Sequence, residues 1–101
     1  MPIASQTVTV VVRLNAKPGK KAQARQELFS LLAPTRAEQG CFNFDRHEAP
    51  NDPSMFLFHE NWTSENDLKR HFKTLHLKRW IKLAKTLLAE PLELTGWRKV
   101  E

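Results

Sequence analysis

The chain has 101 residues, 41% of them apolar and 27% charged, with six Phe, three Trp and no Tyr. That length suits a single domain over residues 1–101 and leaves no room for a second core, while the composition excludes disordered and fibrous classes. Sixteen Lys and Arg against eleven Asp and Glu give a net charge of +5. The excess, however, sits at Lys69, Arg70, Lys73, Lys78, Arg79, Lys82 and Lys85, spaced as the solvated face of helices, with no nucleic-acid-binding motif beside it.

Thr7 to Leu14 is rich in β-branched residues, with Val8, Val10, Val12 and Leu14 on one side and Thr7, Thr9, Val11 and Arg13 on the other, which predicts a strand. Lys17-Pro18-Gly19 breaks it. From Lys20, Ala24, Leu28, Leu31, Leu32 and Thr35 recur at helical spacing, and a long helix follows. Pro34 lacks the N–H that would bond to Ser30, so a kink or irregular segment is expected before Gly40 ends the helix. Cys41 to Glu48 and Met55 to Trp62 read as two strands of a hairpin, joined by the turn-rich Ala49-Pro50-Asn51-Asp52-Pro53-Ser54. Along the second, Phe56, Phe58, Glu60 and Trp62 share one face, and Met55, Leu57, His59 and Asn61 the other. Thr63 or Ser64 suits an N-cap, with Asp67 completing a box-like pattern. The inner stripe of that helix is expected at Leu68, His71, Phe72 and Leu75. A second helical stretch carries Leu77, Trp80, Ile81, Ala84, Leu87 and Leu88, and stops at Pro91. Leu92 to Val100 alternates loosely as a last strand.

Strand, helix, strand, strand, helix or helix pair, strand is the ferredoxin-like split βαβ arrangement, an α+β fold with an antiparallel sheet. Right-handed crossovers put both helical layers on one face of the sheet. The strands carry apolar side chains to both faces, so a homodimer packed sheet on sheet is expected.

No apolar run exceeds the four residues Met55 to Phe58, far short of the roughly 20 residues a spanning helix needs. No charged-then-apolar leader is evident, and a lone Cys41 matches a reducing compartment. A soluble, cytoplasmic protein without membrane or nucleic-acid partners is expected. Three scattered glycines make no dinucleotide or phosphate loop. His71 and His76, five residues apart, miss the i, i+4 alignment of a helical metal pair, and no carboxylate is spaced to help, so no bound metal and no cofactor are expected. The serines lie outside any nucleophile-elbow context, and Cys41 has no visible base.

The remaining chemistry lies in Phe56 to Leu77, FLFHENWTSENDLKRHFKTLHL. There Glu60, Trp62, Ser64, Leu68, His71, Phe72, Thr74 and His76 form the pattern E-x-W-(T/S)-S-x-x-x-L-x-x-H-F-x-T-x-H. This pattern, with Lys17-Pro18-Gly19 and the segment from Pro34 through Thr-Arg-Ala-Glu-Gln-Gly to Cys41, resembles the antibiotic-biosynthesis monooxygenase domain family over nearly the whole chain. The resemblance implies a dimeric α/β barrel of two ferredoxin-like protomers, some of whose relatives oxygenate phenols or quinols without metal or flavin. The sequence departs from the pattern at Phe58, where quinol-forming relatives carry an asparagine, and the first strand lacks the asparagine of the haem-degrading branch.

On this reading the substrate is an aromatic or quinol small molecule that reacts with O2. His71 takes the phenolic proton, Glu60 hydrogen-bonds and orients His71, and Trp62 positions the ring. Phe56, Phe58 and Phe72 wall the cleft, Phe56 and Phe58 being core residues first, and His47 stands at its rim or merely at the strand end before the loop. The alternatives are a proton-transfer isomerase of the same fold and a non-catalytic ligand-binding or interaction domain. Glu60 has its own claim to a role, because a carboxylate flanked by Phe58 and Trp62 needs a partner if buried.

Overall fold

The β-branched alternation at the start of the chain makes β1, Val8–Asn15, whose even-numbered residues Val10, Val12 and Leu14 are buried. The computed structural model describes residues 7–101, so the first six residues of the expected domain lie outside the described residues. Gly19, at φ +80°, turns the chain into α1, Lys21–Ser30. Pro34 acts as expected, but the break falls one turn before it: α1 stops at Ser30 and α2, Leu32–Arg36, begins after Leu31. Pro34 thus occupies the first turn of a new helix, where a missing N–H costs nothing.

Gly40 closes the turn after α2 at φ +86°, a conformation that disfavours side chains. A Cβ there would also run into the side chain of Asp67. Its carbonyl accepts from the Thr63 N–H at 2.7 Å, tying the start of β2, Cys41–Ala49, to the end of β3, Asp52–Trp62. The hairpin is tighter than expected, since β3 begins at Asp52 rather than Met55.

Ser64 caps α3, Glu65–His71, by accepting the Asp67 N–H. Thr74 caps α4, Leu75–Leu87, by accepting the Leu77 N–H. The chain ends in β4, Glu93–Trp97, shorter than the alternation suggested. The sheet order is β2-β3-β1-β4 with every neighbouring pair antiparallel, which is the ferredoxin-like α+β fold. The helices bury Leu28, Leu31, Leu77, Trp80 and Leu87 against Val10, Val12, Phe44, Phe56, Phe58 and Trp62 of one sheet face. Among the described residues no helix is long and apolar enough to cross a membrane.

One expected inner stripe is corrected. Leu75 is 85% exposed and Phe72 is partly exposed, because the chain reorients between α3 and α4 and turns Leu75 outward at the head of the new helix.

Candidate active site

Between the helices and the sheet lies a cavity of about 260 Å³, walled by Leu14, Leu31, Phe44, Phe58, Leu77 and Trp80, with Phe72, Ile81 and Leu94 among its more exposed lining residues. Its titratable lining residues are Glu60 and His71. An apolar pocket with a few convergent polar groups is the usual form of a small-molecule site.

β3 delivers Glu60 because its side chains alternate: Phe58, Glu60 and Trp62 all point toward the helices and all are buried. The Trp62 indole N–H donates to Glu60 Oε1 at 2.9 Å. Burial raises the Glu60 pKa to about 7; the Trp62 N–H opposes the rise and the Glu38 carboxylate adds to it. Near neutral pH this carboxyl therefore exists in both forms and can give or take a proton.

α3 delivers His71 to the same space. Its ring lies 4.7 Å from the Trp62 ring and 5.8 Å from that of Phe44, centroid to centroid. Its hydrogen-bond partner is not Glu60, as the sequence led us to expect. His71 Nδ1 lies 2.8 Å from Glu38 Oε2, and Glu60 is bonded by Trp62 instead. Facing a carboxylate oxygen, which only accepts, Nδ1 carries the ring proton and Nε2 keeps its lone pair. Burial lowers the His71 pKa, against the pull of Glu38, so the ring is neutral near pH 7 and able to accept a proton.

Two further residues are brought in that spacing along one helix could not reveal. Glu38, in the turn between α2 and β2, also receives His76, whose Nε2 lies 2.6 Å from the same Oε2. The expectation that His71 and His76 diverge with no carboxylate between them is thereby corrected: the break between α3 and α4 redirects His76, and Glu38 arrives from 33 residues upstream. A signal for Glu38 was present, since it lies inside the segment Pro34 to Cys41 that carries part of the family resemblance.

The other expected positions divide. Phe58 lines the cavity and Phe72 lies among its more exposed residues. Trp62 is fully buried and is not among the lining residues; it touches the site through its hydrogen bond to Glu60 and its ring contact with His71. Phe56 is a core residue one pair further along β3 and also stands outside the cavity lining. His47 pairs with Leu57, which puts it on the sheet face away from the helices, so it does not rim this cavity. Phe44 and Trp80 complete the wall, and their register against Glu60 and His71 emerges only on folding. Burial raises the Cys41 thiol to about 11, which leaves it protonated and a poor nucleophile.

A ferredoxin-like domain with an apolar cavity and two convergent titratable groups has the form that small-molecule sites usually take. The match to the model of the antibiotic biosynthesis monooxygenase family spans residues 7–83, and the chain belongs to that family. It is 31% identical over 81 residues to YcnE of Bacillus subtilis, covering 80% of this chain and 85% of that protein. It is 30% identical over 88 residues to Rv0793 of Mycobacterium tuberculosis, covering 87% and 86%; both relatives carry a provisional monooxygenase name. The crystal structure of PA3566 from Pseudomonas aeruginosa superimposes with a TM-score of 0.91 at 30% identity, covering 97% of this chain and 98% of that one.

Proposed function

We propose that the protein is a cofactor-independent monooxygenase acting on a quinol or similar enolisable aromatic. The observation that carries this reading is the apolar cavity lined by two proton-transfer groups of different character, a neutral imidazole backed by a carboxylate and a carboxyl poised near pH 7. His71 Nε2 removes the phenolic proton, and Glu38 stabilises the imidazolium that forms. The resulting anion is electron-rich enough to reduce O2 itself, giving a substrate hydroperoxide. The imidazolium returns its proton to the peroxide; the hydrogen on the oxygenated carbon then passes to His71 as the O–O bond breaks, Glu60 in its protonated form delivers a proton to the departing oxygen, which leaves as water, and Trp62 holds Glu60 in place. For a naphthohydroquinone the balance is quinol plus O2 to hydroxynaphthoquinone plus water. Phe58, Phe44 and Trp80 exclude solvent and sandwich the flat ring.

The assembly we propose is a cytoplasmic homodimer joined through the outer sheet face, where Val11, Met55 and Leu57 are only partly covered and Trp97 is 60% exposed. Sedimentation of an 11.7 kDa species at micromolar concentration would remove that part of the reading.

The test is oxygen uptake by the purified protein with naphthohydroquinones and anthrones, under air and under argon. Turnover that consumes O2 and yields the hydroxylated quinone is expected. Turnover that persists under argon would replace the monooxygenase by an isomerase, and binding without turnover would replace it by a ligand-binding domain.

A further inference from the structure

We propose that Glu38, His71 and His76 form a binding site for a divalent transition-metal ion of the zinc class. One donor atom from each of the three residues lies within 4.8 Å of the other two, His71 Nδ1 and His76 Nε2 both face Glu38 Oε2, and two imidazoles with one carboxylate are a donor set such ions take. Orienting one imidazole requires one hydrogen bond, and Glu38 already makes it to His71. The second imidazole on the same oxygen is surplus to that task and supplies the second nitrogen donor.

On a continuous helix, residues five apart point about 140° away from each other. Here the helix is interrupted: the Thr74 N–H and hydroxyl both donate to the His71 carbonyl, at 3.1 and 2.7 Å, and α4 starts afresh at Leu75 with His76 turned back toward α3. In a tetrahedral site with bonds of about 2.0–2.1 Å, neighbouring donor atoms stand about 3.3 Å apart. The present separations are 2.8 and 2.6 Å, so an ion enters when each contact opens by roughly half an ångström or slightly more. His71 and Glu38 are held by burial, with side chains 3% and 12% exposed, while His76 at 25% has freedom to move and marks the solvent side of the site.

Occupation has a chemical consequence. A metal on Nδ1 of His71 displaces its proton to Nε2, which converts the base of the proposed oxygenation into a donor. This consequence rests on the function proposed above, whereas the binding site does not.

The experiment titrates the purified protein with Co²⁺, read by its visible absorption, and with Zn²⁺, read by calorimetry, with no aromatic substrate present. One ion per chain is expected, with affinity reduced by more than about tenfold in His76→Ala and in Glu38→Gln, and unchanged in His59→Ala on the opposite sheet face. Far-UV circular dichroism of each variant confirms that it is folded, and His76, being partly exposed, is the substitution least able to disturb packing. The proposal is overturned if neither ion binds the parent protein, or if folded His76→Ala binds as tightly as the parent. Zinc is also expected to inhibit turnover. Binding that is lost in His76→Ala but leaves turnover of the parent untouched by zinc would uphold the metal site and remove His71 as the base, so the two readings fail separately.

Discussion

On the helix-covered face of β3, Glu60 lies between Phe58 and Trp62, and its carboxylate accepts a hydrogen bond from the indole of Trp62. One residue along, on the outer face, Asn61 belongs to a ladder: Thr9 Oγ1 donates to Asn61 Oδ1 at 2.6 Å, Asn61 Nδ2 to Asn43 Oδ1 at 2.8 Å, and Asn43 Nδ2 to Asp45 Oδ2 at 3.0 Å. The same strands thus treat polar groups in two ways. Outside, a hydroxyl, two amides and the half-exposed Asp45 carboxylate satisfy one another across three strands and serve the scaffold. Inside, an ionisable group is isolated among aromatic rings, so its charged form is penalised and its proton becomes available for chemistry. The outer face is also less apolar than the strand pattern implied, because the ladder occupies part of it beside Val11, Met55 and Leu57.

If the inner face is the chemical one, His71→Ala has the largest effect: turnover on a hydroquinone substrate falls by roughly 10²- to 10⁴-fold. The variant stays folded, since Glu38 keeps its bond to His76. Steady-state kinetics alongside a urea melt separates the two quantities, and near-normal turnover would abolish the contrast between the faces.

Glu60 provides the second test, through pH. Its pKa is near 7 in the fold against an ordinary 4.5, so between these values the folded protein holds the proton that the unfolded chain has released. Stability is therefore greatest below about pH 4.5 as far as this group is concerned, falls as pH rises to about 7, and is then lower by on the order of 3 kcal/mol. Glu60→Gln removes this decline, and urea midpoints at pH 5 and pH 8 measure it. An equal slope in parent and variant would show that the carboxyl is not isolated as described. Trp62→Phe, which removes the opposing N–H, shifts the inflection upward.

Asn61→Ala addresses the outer face. It breaks the middle of the ladder and costs about 1 to 2 kcal/mol, with no change in the pH dependence of stability or turnover. A shifted pH profile would mean that the two faces are coupled. The smallest effect is expected at Thr35, which is fully buried with no hydrogen-bond partner for Oγ1. Thr35→Val keeps the shape and removes an unsatisfied hydroxyl, so it stabilises by up to about 1 kcal/mol in a thermal melt.

Much of the fold was legible because its signals are local. Alternation in Val8 to Leu14, the proline at position 34, Gly40 and the Ser64 cap each act within a few residues of themselves, and the strand–helix order then allows few topologies. Glu60 was legible as an anomaly for the same reason, being a carboxylate in a phenylalanine–tryptophan stripe. Its partner was not. A buried carboxylate demands a donor, but several elements can supply one, and only packing shows that the indole two residues along the same strand does so while Glu38 takes His71. The meeting of Glu38, His71 and His76 depends on where α2 ends, how Gly40 turns and how far the chain reorients at Thr74. These are long-range outcomes of burying Leu28, Trp80 and Leu87 against the sheet, and no residue spacing along the chain encodes them. The sequence by itself determined which side chains share a strand face and therefore that an acid would be buried among aromatics; the tertiary structure decided which bases and acids meet, because that is set by the relative placement of elements whose contacts span the whole chain.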